Sequence, residues 1–171
     1  MNFNKIKLIV LDVDGTMTDG GVYIDNNQIE TKKFNVKDGA GIVLAQSVGI
    51  EFMILTGRSS KCVEQRAKEL NIKHVAQGIH HKADFLKEFV IAHDLLPQNI
   101  AYIGDDLNDL AAMHYAGISA CPIDAADEVK NYCDIILHKK GGDGVVRAFV
   151  EELLKNLNLW ETAINNVFPV K

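Results

Sequence analysis

Short aliphatic runs alternate with longer amphipathic stretches along the whole chain. "KLIVLD" (7–12), "EFMILTG" (51–57), "HVAQG" (74–78), "IAYIGDD" (100–106), "ISAC" (118–121) and "DIIL" (134–137) have strand length, and most are apolar at every position. Between them lie "DGAGIVLAQSVG" (38–49), "SSKCVEQRAKELN" (59–71), "KADFLKEFVIAHDLL" (82–96), "LNDLAAMHYAG" (107–117) and "AADEVKNYC" (125–133), which read as helices. The stop signals agree: Gly49 closes the first helix and Pro97 the third, and serine caps the start of the second. A glycine-rich turn, "GGDG" (141–144), leads into a last helix, "VVRAFVEELLKNL". Continuous apolar strands alternating with helices predict an α/β fold: a Rossmann-like, mostly parallel sheet with helices on both faces. One segment breaks the rhythm. "GVYIDNNQIETKKFNV" holds two short β-type runs about the polar turn Asp25-Asn26-Asn27, and predicts a hairpin over about 20–36 inserted after the first strand.

Composition narrows this picture. The 171 residues suit one domain, 1–171, ending in a tail over about 156–171. The net charge of −5 argues against a nucleic-acid partner and against an anionic membrane surface. The longest apolar runs are too short to cross a bilayer, and the N-terminus has no signal-peptide core, so a cytoplasmic protein is expected. Cys62, Cys121 and Cys133 are odd in number and widely spaced, which suggests reduced structural thiols rather than a disulfide framework or a zinc site.

In an open α/β sheet, ligands bind at the carboxyl ends of the strands. The first strand ends in Asp12 and Asp14, the second in Thr56, Gly57 and Arg58, the third runs on to Lys82, and the fourth ends in Asp105 and Asp106, with Asp109 just beyond. Each alone has a plain structural reading. Together they form an oxygen-rich, anionic site of the kind that takes Mg²⁺ with waters and a substrate phosphate. A carboxylate there can attack phosphorus, a second can move the proton of the leaving group and then of water, and a hydroxyl and an ammonium can bind phosphoryl oxygens. Asp12 and Asp14 are expected, from strand alternation, to point to different sides.

"DVDGT", "LTG", Lys82 and "GDDLND" resemble, in order, the four motifs of the haloacid dehalogenase superfamily of phosphohydrolases. The resemblance implies Asp12 as nucleophile, Asp14 as acid/base, Thr56 and Lys82 as phosphoryl ligands, and Mg²⁺ held by Asp12, Asp105 and the backbone carbonyl of Asp14. Asp109 either orients the metal site or Lys82, or is a helix first-turn acid. The stretch between Asp14 and Thr56 has room for the hairpin but not for a larger cap domain. The site should therefore be open, and a free-standing hairpin with exposed edges should pair with another chain.

A longer resemblance, from about Lys7 to Leu154, is to the capless 3-deoxy-D-manno-octulosonate 8-phosphate phosphatases. It rests on "LDVDGTMTDGGVYIDNNQIETKKFNVKDGAGI", "TGRSSKCVEQRAKELNI", "QGIHHK", "AYIGDDLNDLAAM" and "GGDGVVRAFVEELL". It implies a homotetramer built through the hairpins, a phosphorylated keto sugar acid as substrate, a role in lipopolysaccharide precursor synthesis, and a C-terminal segment lying over a neighbour's site. Arg58 and Arg66, near two helical turns apart, are candidates for the substrate carboxylate if they share a face. Asn35, Val36, Lys37, Asp38 and Gly39 match the family's segment at the sugar phosphate, and Asp38 reads equally as a helix cap. Asp14 and Lys82 are counted with the substrate ligands. His80 and His81 read as surface loop histidines or substrate contacts. Thr16 stands where these enzymes often carry an aliphatic residue. Nine-carbon keto acid phosphatases share the pattern but tend to carry an acid after "TG", where this chain has Arg58. A phosphoaspartate receiver domain is the alternative from another class, although there Thr and Lys follow the acids.

Overall fold

A computed structural model describes residues 1–169; the last two residues of the expected tail, Val170 and Lys171, lie outside the described residues. The six expected strands form one parallel sheet. In chain order with the hairpin they are β1 (Leu8–Leu11), β2 (Tyr23–Ile24), β3 (Glu30–Thr31), β4 (Glu51–Leu55), β5 (His74–Ala76), β6 (Ile100–Ile103), β7 (Ile118–Pro122) and β8 (Ile135–Leu137). The sheet order is β5-β4-β1-β6-β7-β8. The chain builds outward from β1 on one side, then returns to add β6 on the other. The place where the order reverses lies between β1 and β6, whose registers align Leu11 with Ile103. That is where an α/β sheet opens a crevice at its carboxyl edge.

Both faces are covered, which explains the unbroken apolar runs. Ile9 and Leu11 pack with Ile42, Phe149 and Leu153 on one face; Leu8 and Val10 pack with Leu86, Val90 and Tyr102 on the other. The helices are α1 (Val36–Gln46), α2 (Lys61–Glu69), α3 (Lys82–Ala92), α4 (Leu110–Tyr115), α5 (Asp127–Tyr132), α6 (Val145–Asn156) and α7 (Trp160–Val167). Ser60 caps α2, its side chain accepting from the Cys62 N–H, and Gly49 takes the left-handed conformation beyond α1, both as the sequence suggests. No helix of the described residues is long and apolar enough to cross a membrane.

One expectation changes. The helix after the hairpin starts at Val36 rather than Asp38: Asn35 is its cap, accepting from the Lys37 N–H at 2.8 Å. Over its described residues the tail forms a short helix, α7. This helix folds back on its own subunit, with Ala163 fully buried and Asn166 bonded to the Ser47 carbonyl at the far end of α1. Trp160 lies against the Arg147 guanidinium, 5.0 Å from its ring centre. Cys121 and Cys133, distant in sequence, meet with their sulfurs 3.2 Å apart.

The hairpin forms on the expected turn. The Asp25 carboxylate accepts from the Asn27 and Ile29 N–H groups, and the ladder pairs Tyr23 with Thr31 and Ile24 with Glu30. Val22, Tyr23, Ile24 and Ile29 are all exposed on it.

Candidate active site

β1 ends at Leu11, and the next residue carries the first acid. Asp12 is 4 % exposed, its N–H bonded to the Ile103 carbonyl, so the sheet itself fixes its backbone. The chain then leaves extended geometry in an irregular turn, Val13–Met17, with Asp14 at φ −81°, ψ 107° and Gly15 at φ +96°. A Cβ on Gly15 would lie 2.0 Å from the Asp105 carboxylate. Only glycine both takes that conformation cheaply and lets Asp105 close over the turn. The two aspartates do point different ways, Asp12 to Lys82 and Asp14 to Lys32. Strand alternation is not the reason, because residues two apart in a strand share a face; the turn at Val13 separates them.

The buried centre is a small ionic network. Lys82, the first residue of α3, is 2 % exposed, and its Nζ donates at 2.6 Å to both Asp12 Oδ1 and Asp109 Oδ1. Burial pulls the Lys82 pKa down, but the Asp109 and Asp12 carboxylates outweigh it and hold the ammonium above its usual value. Asp109 is wholly enclosed. Its Oδ1 also accepts from the Tyr102 hydroxyl at 2.7 Å, and its Oδ2 accepts from the Asp105 and Asp106 N–H groups. Asp109 is thus the anchor that orients Lys82 and ties down the loop after β6. Its other reading, a plain helix acid, gives way because no bond of its carboxylate goes to its own helix's first turn.

Asp12, Asp105 and Asp109 can each bring one oxygen within 4.8 Å of the others, against the single ammonium of Lys82. Burial first, then the neighbouring carboxylates, push Asp12 up to about 7 and Asp105 up to about 8. Three acids so crowded outnumber the Lys82 ammonium, and a divalent metal would supply the missing positive charge. The donor sets distinguish the acids. Asp109 has both oxygens committed, whereas Asp12 gives one to Lys82 and Asp105 gives one to the Thr16 hydroxyl at 3.0 Å. The second oxygen of Asp12 and of Asp105 receives no side-chain donor among the described residues. These two acids fit a hard cation.

The other expected residues are placed as follows. Thr56 follows β4, 2 % exposed, with its N–H on the Ala76 carbonyl, and so reaches the same edge. Arg58 lies at the rim in the loop before α2, its side chain half exposed, donating to Glu30 at 2.7 Å and lying 3.9 Å from Asp14. Arg66 is on α2, so the two arginines do not share a helix face. The Arg66 guanidinium instead bonds the Asn35 carbonyl and Glu69, beneath the start of α1. Asn35 spends its side chain on capping α1 and on the Gly142 carbonyl. Val36 is 83 % exposed and Lys37 is exposed; Gly39 is buried where a Cβ would meet the Arg66 guanidinium at 2.5 Å. The Asp38 carboxylate is buried and accepts from the Arg147 N–H at the start of α6. The "GGDG" turn backs the turn after β1: a Cβ on Gly141 would sit 1.8 Å from the Gly15 carbonyl, and the Gly142 N–H bonds the Thr16 carbonyl.

With this geometry in hand, known proteins are informative. Residues 74–149 match the family model of haloacid dehalogenase-like hydrolases. The 3-deoxy-D-manno-octulosonate 8-phosphate phosphatase KdsC of Salmonella typhi is 42 % identical over 154 residues, 88 % of this chain and 80 % of that protein. The crystal structure of the Moraxella catarrhalis 3-deoxy-D-manno-octulosonate 8-phosphate phosphatase, in complex with a magnesium ion, a phosphate ion and a KDO molecule, superposes with a TM-score of 0.92. It shows 38 % identity and covers 95 % of this chain and 93 % of that one. The cobalt-bound form of the Haemophilus influenzae phosphatase gives 0.90 at 32 % identity, covering 94 % of each.

The chain belongs to the 3-deoxy-D-manno-octulosonate 8-phosphate phosphatase family.

In this family member, sequence reasoning passed over four residues. Tyr102 was legible: a phenol in the otherwise aliphatic strand "IAYI" must find a partner when buried, and it finds Asp109. Thr16 was noticed only as a departure, and its hydroxyl turns out to hold Asp105. Lys32 and Glu30, from the return arm of the hairpin, carried no local signal. Their part depends on how the hairpin folds over the sheet edge.

Proposed function

We propose that this protein is the Mg²⁺-dependent phosphatase that hydrolyses 3-deoxy-D-manno-octulosonate 8-phosphate to the free keto sugar acid and phosphate. The observation that carries the reading is the buried Asp12, held by Lys82 beside Asp105 at the crevice between β1 and β6. In the first step an Asp12 oxygen bonds to phosphorus, the ester P–O bond breaks, and the ester oxygen takes a proton from Asp14. In the second, Asp14 removes a proton from the water that attacks the aspartyl-phosphate, freeing phosphate and Asp12. Thr56 and Lys82 bind phosphoryl oxygens, and the Lys82 bond to Asp12 also fixes the nucleophile's direction. Asp12, Asp105 and the Asp14 carbonyl hold the Mg²⁺, which when bound offsets the charge of the acids and of the phosphoryl group.

The remaining parts are extensions of this reading. Arg58 at the rim meets the substrate carboxylate, and the segment Asn35–Gly39 lies along the sugar, with Lys37 its most accessible cation. Arg66 and Asp38 serve from beneath, by holding α1 in place. The chain is one phosphatase domain, 1–171. It assembles as a homotetramer through the exposed apolar residues of the hairpin, and works in the cytoplasm in lipopolysaccharide precursor synthesis.

The deciding experiment measures phosphate release with Mg²⁺ from the eight-carbon keto acid phosphate, a nine-carbon analogue and several hexose phosphates. The eight-carbon substrate is expected to dominate in kcat/KM, and chelation to abolish the activity. Equal rates on all would reduce the reading to a general phosphatase. Sedimentation should show a tetramer, and a fully active monomer would remove the hairpin assembly.

A further inference from the structure

The acid/base Asp14 is not positioned by the sheet. It lies beyond β1 in an irregular turn, and among the described residues its carboxylate receives one hydrogen bond, from the Lys32 ammonium onto Oδ1. Lys32 follows β3 on the inserted hairpin. Its side chain is only 2 % exposed, an unusual setting for a strongly hydrated ammonium. The same ammonium lies 3.4 Å from Glu30 Oε1, which also accepts from Arg58 at 2.7 Å. Arg58 in turn lies 3.9 Å from Asp14 Oδ2. With Asp14 ionised, two anions and two cations close a neutral ring whose members come from the turn after β1, the hairpin and the loop before α2. The Arg58 hydrogen bond holds Glu30 below the usual carboxylate range, so this part of the ring stays ionised.

We propose that Lys32 is a positioning residue for the acid/base: it ties Asp14 Oδ1 and so presents Oδ2 to the ester oxygen of the substrate. A lysine buried between two carboxylates costs desolvation that a neutral residue would avoid, and a hairpin could be fastened by apolar contacts instead. What the ammonium adds is direction. With Oδ1 occupied, Oδ2, which has no hydrogen bond of its own among the described residues, is the oxygen free to carry the proton. The proposal rests on the assignment of Asp14 as acid/base, and the test separates the two.

Leaving groups provide the test. kcat/KM counts steps up to departure of the first product. A sugar alkoxide leaves poorly and needs the proton, whereas p-nitrophenolate leaves well without it. Lys32→Met should lower kcat/KM on the octulosonate phosphate about 10- to 100-fold and on p-nitrophenyl phosphate less than about threefold, the shortfall on the sugar phosphate lying in kcat more than in KM. Lys32→Arg should restore most of the loss. Asp14→Asn is run beside them and should show the same leaving-group split, only larger. If Lys32→Met does not fold, the double variant Glu30→Gln with Lys32→Met keeps the ring's net charge and should give the same split. An equal loss on both substrates, or none, with Asp14→Asn still discriminating, would overturn the role of Lys32. No discrimination by Asp14→Asn would instead remove the acid/base assignment.

Discussion

The two aspartates proposed for catalysis stand two residues apart, yet their surroundings are built in opposite ways. Asp12 belongs to the rigid centre: its backbone is in register with β6, its carboxylate faces a buried lysine, and it shares space with Asp105 and Asp109 in a cluster with surplus negative charge. Asp14 belongs to the rim: its partner Lys32 arrives on a ribbon with two ladder pairs, inside a ring that is already neutral. The difference matches the two tasks proposed for them. A nucleophile must hold one line of attack on phosphorus and works best on an element that cannot shift. A group that hands a proton to the substrate and then takes one from water must meet a different partner in each step. At the rim two cations face the carboxylates of Asp14 and Glu30, while surplus anion at the centre calls for a further cation.

The largest test of this contrast is Asp12→Asn. Turnover should fall by about 10³-fold or more with the circular dichroism spectrum unchanged, because the amide keeps the shape but cannot attack phosphorus. Surviving activity would move the chemistry off the rigid centre. Next comes a paired measurement of stability by urea unfolding. Asp109→Leu leaves the Tyr102 hydroxyl and two backbone N–H groups without their acceptor and Lys82 with one partner fewer, and should cost about 3–5 kcal/mol. Glu30→Gln, in the rim ring, should cost about 1 kcal/mol or less. Equal costs would break the comparison.

Asp38 sharpens the comparison from within the frame, because it is buried without the centre's crowd of acids. Burial, opposed by the N–H groups at the start of α6, raises it to about 6. A carboxyl whose folded pKa lies above its unfolded value contributes stability that is fully present below about pH 4 and is lost as pH rises through about 6. The native protein should therefore lose up to about 2–3 kcal/mol over that window relative to Asp38→Asn, read from unfolding midpoints. A further effect is at the metal site. Thr16→Val removes the hydroxyl that orients Asp105, and should weaken Mg²⁺ binding about tenfold in calorimetry while leaving the melting temperature of the chelated protein nearly unchanged.

Much of this was legible beforehand for identifiable reasons. All six parallel strands were readable because a sheet covered on both faces demands unbroken apolar runs, and strand ends were readable as a site because loops at the carboxyl edge are where polar groups are affordable. Asp12, Thr56, Lys82 and Asp105 could be found together because each closes or follows such a strand. The shared face of Arg58 and Arg66 does not form, since a spacing of eight means a shared face only inside one helix, and Arg58 stands before α2 begins. The packing of α7 on its own subunit was not legible, since an apolar residue near a chain end announces burial but not against what.

The sequence alone determined the order of elements, the carboxyl-edge acids and the need for a cation, since these follow from local pattern and from the charge of residues that the strands force together. Tertiary structure decided who holds whom. It gave Asp109 to Lys82 and Tyr102, Thr16 to Asp105, Asp38 to α6, and Lys32 to Asp14. Each of those pairings spans elements apart in the chain, and a side chain's partner across such a gap is set by how helices, turns and an inserted hairpin pack over the sheet.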